Sequence, residues 1–307
     1  MTGMNPEYGA GYEGWPDGFA GPEAPQRPER LYRRVKGDAR RALSSRWGKG
    51  AAGVLFLAGC GTVFYLLTQI IGGELGLPAR GGWLEAGTLR IDLGRLALDG
   101  LMLIPAGVLL SPLILGYLAF LYRLTSGEEA SLREIFQPLQ DLKLWARSVG
   151  MLVLLGGVSL LSAGVGLLPG AGLIYFTLGL PGSTGRAAII KIALLALAFL
   201  LLAAGVLFAG YFMVRFIPAP FFLASGEQGG VLRSAARSVR ATKGFRGELF
   251  TMALSFIPCT LLLIFIAPAV FVLPYEWAAF GLFSRFLADR LSREEAAGHA
   301  RGCRIRG

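Results

Sequence analysis

Long apolar stretches alternate with charged and Gly-Pro-rich segments along this chain, and the pattern predicts a membrane protein. Five stretches lie at about 50–72, 100–122, 148–170, 187–214 and 249–273. Each is close to or above the roughly 20 residues that a helix needs to cross the hydrocarbon of a bilayer. None alternates apolar and polar residues as the strands of a membrane barrel do, so the spans are predicted to be helices.

A sixth apolar segment, at 275–291, carries Arg285, Asp289 and Arg290 near its end. Whether it spans depends on which side of the membrane the termini occupy. Lys and Arg are retained on the cytoplasmic side of short loops. Most of the 30 Lys and Arg residues lie in the N-terminal segment, in the segments after the second and fourth spans, and in the tail. Both termini are therefore expected in the cytoplasm, and an all-α bundle of about six transmembrane spans is predicted.

Four segments make up the predicted organisation. Residues 1–30 are rich in Gly, Pro and acidic residues and are expected to form a disordered cytoplasmic tail. Residues 31–49 are predicted to form a basic amphipathic helix at the membrane interface. Residues 50–291 form the membrane domain, and 292–307 a basic cytoplasmic tail.

The segment 31–49 combines a narrow apolar stripe with many cations. The stripe recurs every four residues and consists of Leu31, Val35, Ala39, Leu43 and Trp47. Each basic residue near an anionic membrane surface contributes about 1 kcal/mol to binding. The candidates for contact with phosphatidylserine- or cardiolipin-type headgroups are Arg33, Arg34, Lys36, Arg40 and Arg41. The alternative is that this helix only orients the first span.

Two further amphipathic stretches follow the second and fourth spans and are expected to cover the bundle from the cytoplasm. Pro138 should split the first of them. Each stretch is preceded by a similar pentapeptide, Leu-Thr-Ser-Gly-Glu at 124–128 and Leu-Ala-Ser-Gly-Glu at 223–227. The similarity fits either a parallel repeat of two spans, as in some transporters, or shared turn chemistry.

The cationic character of the chain needs no nucleic acid. The net charge of +10 and pI of about 9.9 follow from basic loops that face an anionic leaflet. Catalytic signatures are also missing from the sequence, because His299 is the one histidine and no phosphate-binding loop or paired intramembrane carboxylates occur. We therefore predict a non-enzyme without cofactor or metal, whose partners are anionic lipid headgroups and, as an additional option, another protein.

Leu57-Ala58-Gly59-Cys60 has the form of a lipoprotein signal-peptidase box. Processing would lead to cleavage and lipidation at Cys60. The signal would then be about 60 residues long, roughly twice the usual 15 to 30, and apolar sequence continues beyond it. An uncut first span is the favoured interpretation, and the sequence leaves processing open.

Ionisable residues at membrane depth are the default functional candidates, because each is costly to hold there. Lys191 lies near the outer end of the fourth span, Arg215 and Glu248 near the inner boundary, and Asp99 and Glu276 near the outer one. All five can equally be interface anchors whose charged ends reach the headgroups. Gly166, Gly170 and Gly205 have the spacing of close helix packing.

A set of residues within 38–291, densest in the C-terminal third, has the pattern of a known family: Pro112, Gly116, Ser238, Lys243, Gly244, Phe250, Ser255, Phe256, Pro274 and Tyr275. Through them the chain resembles an uncharacterised bacterial family catalogued as domain of unknown function 975. It implies a six-helix, multi-pass protein of the bacterial plasma membrane with unassigned activity and no catalytic residues. Independently of the family, Lys243-Gly244 is expected to end a cytoplasmic helix, and Pro274-Tyr275 to turn the chain at the outer face.

Three functions remain open from the sequence. The first is a non-catalytic protein that organises lipids or envelope proteins through its basic cytoplasmic face. The alternative is a transporter or channel for small solutes or lipids, which would use spans broken by proline and Lys191. An intramembrane enzyme would need a cluster of polar side chains for which the sequence gives little sign.

Overall fold

The computed structural model describes residues 30–74, 83–86, 89–180, 185–226, 229–261 and 266–305. These residues are helical apart from turns and one antiparallel strand pair, β1 (Trp83–Ala86) and β2 (Leu89–Asp92). The helices are α1 (Leu31–Ser44), α2 (Trp47–Glu74), α3 (Leu93–Thr125), α4 (Gln137–Gln140), α5 (Leu142–Gly179), α6 (Arg186–Met213), α7 (Ala219–Ala224), α8 (Val231–Ala241), α9 (Arg246–Leu261) and α10 (Ile266–Ile305). The predicted tail at 1–30 lies outside the described residues except for Arg30.

Five stretches are long and apolar enough to cross a membrane, which makes the chain a multi-pass membrane protein. They are Trp47–Leu67, Ile104–Thr125, Leu142–Gly179, Ala187–Ala224 and Pro268–Ala297. The first four correspond to the first four predicted spans. The fifth predicted span, at 249–273, is not one helix, because α9 ends at Leu261 and α10 begins at Ile266.

The predicted turn at Pro274-Tyr275 is wrong, because both residues lie inside α10. Pro268 is the proline that stands near a helix start. It lies in the first turn of α10, where a missing N–H costs little. The side chain of Pro274 instead packs beside Gly50, where an added Cβ would lie 3.2 Å from the Pro274 Cβ. Tertiary contacts therefore hold the helix through a residue that usually interrupts it.

α9 and α10 form an antiparallel pair. Aromatic contacts join Phe245, just before α9, to Phe286 at 5.6 Å, and Phe256 to Tyr275 at 5.4 Å between ring centroids. Residue numbers rise along one helix as they fall along the other. The chain therefore reverses direction between Leu261 and Ile266.

α5 and α6 form a second antiparallel pair, held by close backbone approach. A Cβ added to Gly166 would lie 2.5 Å from the Gly205 carbonyl oxygen, and one added to Gly170 would lie 2.6 Å from Leu202 Cγ. The predicted use of these glycines in helix packing is confirmed. Large apolar side chains cover the outer faces of the pair and are exposed in the isolated chain, as expected for lipid contact.

The buried core lies mainly where α1, α3, α9 and α10 meet. Leu43, Tyr117, Phe256 and Phe283 are fully buried there. The Tyr117 hydroxyl donates a hydrogen bond of 2.9 Å to the Gly50 carbonyl, which ties α3 to α2. A buried hydroxyl needs such a partner, because an unpaired one costs about 1–3 kcal/mol.

The basic segments converge at one end of the bundle. Arg46 donates hydrogen bonds to the carbonyls of Leu124 (3.0 Å), Gly127 (3.4 Å) and Glu128 (3.3 Å) at the end of α3. Arg285 of α10 donates to the hydroxyl of Ser126 in the same turn. We call this region the basic end and define it as α1, the turn 124–128, α8 and residues 284–297 of α10.

Similar glycine turns follow α3 and α7. Gly127 and Gly226 have φ of 83° and 77°, and Ser126 and Ser225 each donate a hydrogen bond to the carbonyl of a residue in the preceding turn. Left-handed glycine is the common way to end a helix. The pentapeptide echo in the sequence therefore corresponds to one turn chemistry used twice.

We expect Gly166→Leu to destabilise the α5–α6 pair by about 1–3 kcal/mol or more, because the added side chain overlaps the Gly205 backbone. The measurement is thermal unfolding of the purified protein in detergent. Gly164→Leu is the matched control, since nothing lies within 4 Å of a Cβ at this position of the same helix. Equal melting temperatures for the two variants would contradict the close contact.

Candidate functional site

A cavity of about 320 Å³ opens at the basic end between α8 and α10. Cations and one carboxylate surround it, and the lining consists of Arg240, Ala241, Lys243, Gly244, Leu287, Arg290, Leu291 and Glu294. Three positive groups against one negative group give the lining an excess of positive charge. We call these residues the cationic pocket.

The backbone at Lys243-Gly244 shapes this pocket. α8 ends at Ala241 and α9 begins at Arg246, and Gly244 between them has φ of 92°. A side chain at that φ would be strained, so glycine is the residue suited to the turn. The predicted helix-ending role of Lys243-Gly244 is confirmed.

Arg290 is held in place from two sides. Its Nε lies 2.7 Å from Glu294 Oε1, one turn further along α10, and its guanidinium carbon lies 4.6 Å from the centre of the Phe245 ring. The negative charge of Glu294 therefore offsets the positive charge of Arg290. Arg240 and Lys243 are exposed and form no side-chain hydrogen bond or ion pair within the described part of the chain. These two residues are the cations of the pocket that are free to meet an anion.

α1 turns its apolar stripe towards the protein. Val35, Ala39 and Leu43 are at most 5% exposed and pack in the core. Arg40 and Arg41 lie on the opposite, exposed face of the helix. Any contact of α1 with a membrane surface must therefore come from its cationic face and not from the stripe.

The protein itself occupies the ammonium group of Lys36, which is one of the lipid candidates on α1. Nζ donates a hydrogen bond of 3.1 Å to Ser255 Oγ and lies 4.3 Å from the centre of the Phe256 ring. The Tyr275 hydroxyl donates to the Lys36 carbonyl at 3.4 Å. Lys36 thus fastens α1 to α9 and α10.

Near the start of α1, Arg33 contacts the side chain of Tyr32. Arg33 Nε lies 3.3 Å from the Tyr32 hydroxyl and Arg33 also lies near its ring. The hydrogen bond from Arg33 lowers the pKa of Tyr32, since it favours the phenolate form. Arg33 and Arg34 have intramolecular interactions of their own, so Arg40 and Arg41 carry the freer charge on this helix.

Lys36 and Ser255 have the separation of a nucleophile and its base, but their hydrogen bonds oppose that role. The Ser255 hydroxyl donates to the Met252 carbonyl at 2.7 Å and accepts from Lys36. The Ser255 hydroxyl proton points to a backbone carbonyl and is not directed at Lys36 Nζ, as a nucleophile activated by that base would require. The geometry is that of a structural tether.

The other positions that carry the family resemblance are packing residues as well. Gly116 lies against the 3₁₀ turn Leu132–Phe136, where an added Cβ would meet the Ile135 carbonyl oxygen at 2.2 Å. Ser238 is fully buried and donates a hydrogen bond of 2.6 Å to the Arg215 carbonyl. Phe250 packs edge-on against Tyr211 at 5.5 Å. Pro112 is buried in the interior of α3.

The intramembrane candidates are separated in the structure. Lys191 Nζ reaches back 3.5 Å to the Leu180 carbonyl at the end of α5, so it ties the far end of the α5–α6 pair. Arg215 lies in the 3₁₀ turn Val214–Phe216 over the Phe212 ring, and Glu248 in the first turn of α9. Arg215 Nε and Glu248 Oε2 are buried and have no hydrogen-bond partner among the described residues. Glu276 lies in α10, and the side chain of Asp99 lies outside what the structure describes.

The described residues contain no group of three or more His, Cys, Asp or Glu side chains that could hold a metal ion. Comparison with protein-family models, curated proteins and solved structures finds no match to this chain. The resemblance to domain of unknown function 975 therefore stays a prediction.

Lys243 and Gly244 of the pocket stand out in the sequence, but their proximity to Arg240 and Arg290 does not. Arg240 and Arg290 entered the sequence analysis only through the distribution of basic residues, whereas in the structure both line the same cavity. Arg46 was counted in the same way and instead binds three carbonyls of the turn 124–128. The amphipathic stretch predicted after the fourth span corresponds to α8, but its sequence pattern does not show which residue of α10 lies beside Arg240.

We expect Lys36→Met to lower the free energy of unfolding by about 1–2 kcal/mol, through loss of one hydrogen bond and one cation–π contact. Arg41→Met, on the exposed face of the same helix, should leave it nearly unchanged. Thermal unfolding in detergent checks both variants. Equal stabilities would contradict a tethering role for Lys36.

Proposed function

We propose that this protein binds anionic lipid headgroups at its basic end and organises them, without catalysis, in the bacterial plasma membrane. One observation carries the proposal: Arg240 and Lys243 line a concave, cationic pocket and have no anionic partner among the described residues. A phosphate group is the anion that such a pair of cations and a neighbouring arginine would bind.

Charge asymmetry supports placing the basic end in the cytoplasm. Short loops rich in Lys and Arg stay on that side, and its leaflet carries the anionic lipids. The cationic pocket and the exposed face of α1 would then lie at headgroup level. The two surfaces share one end of the bundle, so several headgroups could be held around one molecule.

The transporter alternative rests on spans broken by proline and, in addition, on Lys191, and the position of Lys191 gives it no support. Lys191 binds the Leu180 carbonyl at one end of the α5–α6 pair. That contact favours the role of a helix-end anchor over that of an ion or solute ligand.

The test is the double variant Arg240→Gln, Lys243→Gln. Each lost cation should weaken binding of an anionic lipid by about 1 kcal/mol, so cardiolipin affinity should fall roughly 10- to 30-fold. Native mass spectrometry of the detergent-solubilised protein, titrated with cardiolipin and with phosphatidylcholine, measures the change.

The matched control is Arg133→Gln, Lys143→Gln, which removes the same charge from exposed positions in and near the connection between α3 and α5. The control should retain most of the cardiolipin affinity. Equal losses in both double variants would reduce the effect to net charge and overturn the pocket as the site. Unchanged binding in both would overturn the proposed function.

A further inference from the structure

The contact between α10 and α2 limits how far the C-terminal pair reaches along the bundle. Pro274 lies beside Gly50, and Phe271 lies 6.2 Å from Trp47 between ring centroids. Trp47 and Gly50 stand at the beginning of the first candidate span, Trp47–Leu67. The Pro274 level of α10 therefore coincides with the start of α2 at the basic end.

The rise per residue of a helix gives the distance from Pro274 to the first residue of α10. From Pro274 back to Ile266 the helix rises at most about 12 Å, at 1.5 Å for each of eight residues. α2 rises about 25 Å over the 17 residues from Gly50 to Leu67 by the same measure. The reversal between Leu261 and Ile266 thus lies about halfway along the span of α2, and any tilt of α10 brings it closer to the basic end.

Moving the whole bundle along the membrane normal until the reversal reaches the far surface would place cations in the hydrocarbon. Gly50 would then sit near the middle of the hydrocarbon, together with Lys49 and Arg46. A cation near the middle of a bilayer costs about 2.5–3.5 kcal/mol or more. Lys49 is exposed on the protein surface, so no protein group would shield it.

The sequence around the reversal is apolar. It reads Leu-Leu-Leu-Ile-Phe-Ile at 261–266, without the charged, Gly, Asn or Asp residues that are typical of a turn in water. Leu261 is 62% exposed in the isolated chain. Pro268, in the first turn of α10, has no N–H and so removes one donor that the apolar surroundings could not satisfy.

The opposite part of α10 is embedded in protein. Ala278, Ala279 and Phe283 are fully buried, and Arg285 binds the turn at the end of α3. The stretch Pro268–Ala297 is long and apolar enough to span, but much of its apolar character serves this packing. Its length is therefore no evidence that it crosses the membrane.

We propose that α9 and α10 form a re-entrant hairpin that enters and leaves from the basic side, with the end of α9 at Leu261 and the beginning of α10 among the lipid acyl chains near mid-bilayer. The chain then crosses the membrane four times, through α2, α3, α5 and α6, and both termini remain on one side. This topology replaces six spans by four and a half-inserted pair. It is independent of whether the cationic pocket binds lipid.

Single cysteines in a background with Cys60, Cys259 and Cys303 replaced by Ala test the proposal. A fluorophore on Leu261→Cys, in reconstituted liposomes, should be quenched more by nitroxides deep in the acyl chain than by nitroxides at the headgroup. Leu67→Cys, at the far end of the α2 span, should show the reverse. In intact cells, Glu276→Cys and Leu261→Cys should both resist an impermeant maleimide from outside, whereas Gly179→Cys should react.

Each contrary result overturns the hairpin. Labelling of Leu261→Cys from outside, with headgroup quenching, would mean that the pair spans fully. Labelling of Glu276→Cys from outside would mean that the chain turns at Pro274, as the six-span topology requires. Size-exclusion profiles of the variants, compared with that of the unsubstituted protein, establish that each one folds.

Discussion

The packing of Pro274 against Gly50 sets the register on which much of the molecule depends. Glycine lets the proline ring approach α2 closely, and the surrounding contacts, including Trp47 with Phe271 and Tyr117 with Trp277, fix α10 lengthwise. A helix is stiff along its axis, so one fixed level determines the height of every other residue on it. Both the proposed depth of the α9–α10 pair and the position of Arg285 and Arg290 at the basic end depend on this contact.

The cations of the basic end divide into two groups by use. Arg46 and Arg285 bind the turn after α3, and Lys36 joins α1 to α9. These side chains stabilise helix ends and joints, as cations near carbonyl-rich helix termini commonly do. Arg240 and Lys243 are left facing a cavity. Charge count along the sequence cannot separate the groups, because the difference lies in which carbonyls and rings the fold brings near each side chain.

The sequence predicted the helical membrane class, the first four spans and the glycine-rich α5–α6 packing, because apolar length and small-residue spacing act locally. The ends of the last two helices were mispredicted for a non-local reason. In the sequence, Pro268 and Pro274 predict a helix boundary equally well. In the structure, Pro274 packs beside Gly50 and the helix continues through it. The pocket was missed because Lys243 and Arg290 are distant in sequence and meet through the Gly244 turn.

The residues that carry the family resemblance acquire one physical explanation in this arrangement. Ser255, Phe256 and Tyr275 contact Lys36 and so fix the position of α1 along the α9–α10 pair. With the pair placed by Pro274, the exposed Arg40 and Arg41 of α1 come to a fixed level near the start of α2. Electrostatic attraction to a leaflet falls off within about 10 Å. For a surface that binds headgroups, the distance of its cations from the headgroup plane therefore matters more than particular polar contacts. Under the proposed function, Ser255, Phe256 and Tyr275 would act by positioning the cations of α1, whereas Lys243 is both a position of the resemblance and a cation of the pocket.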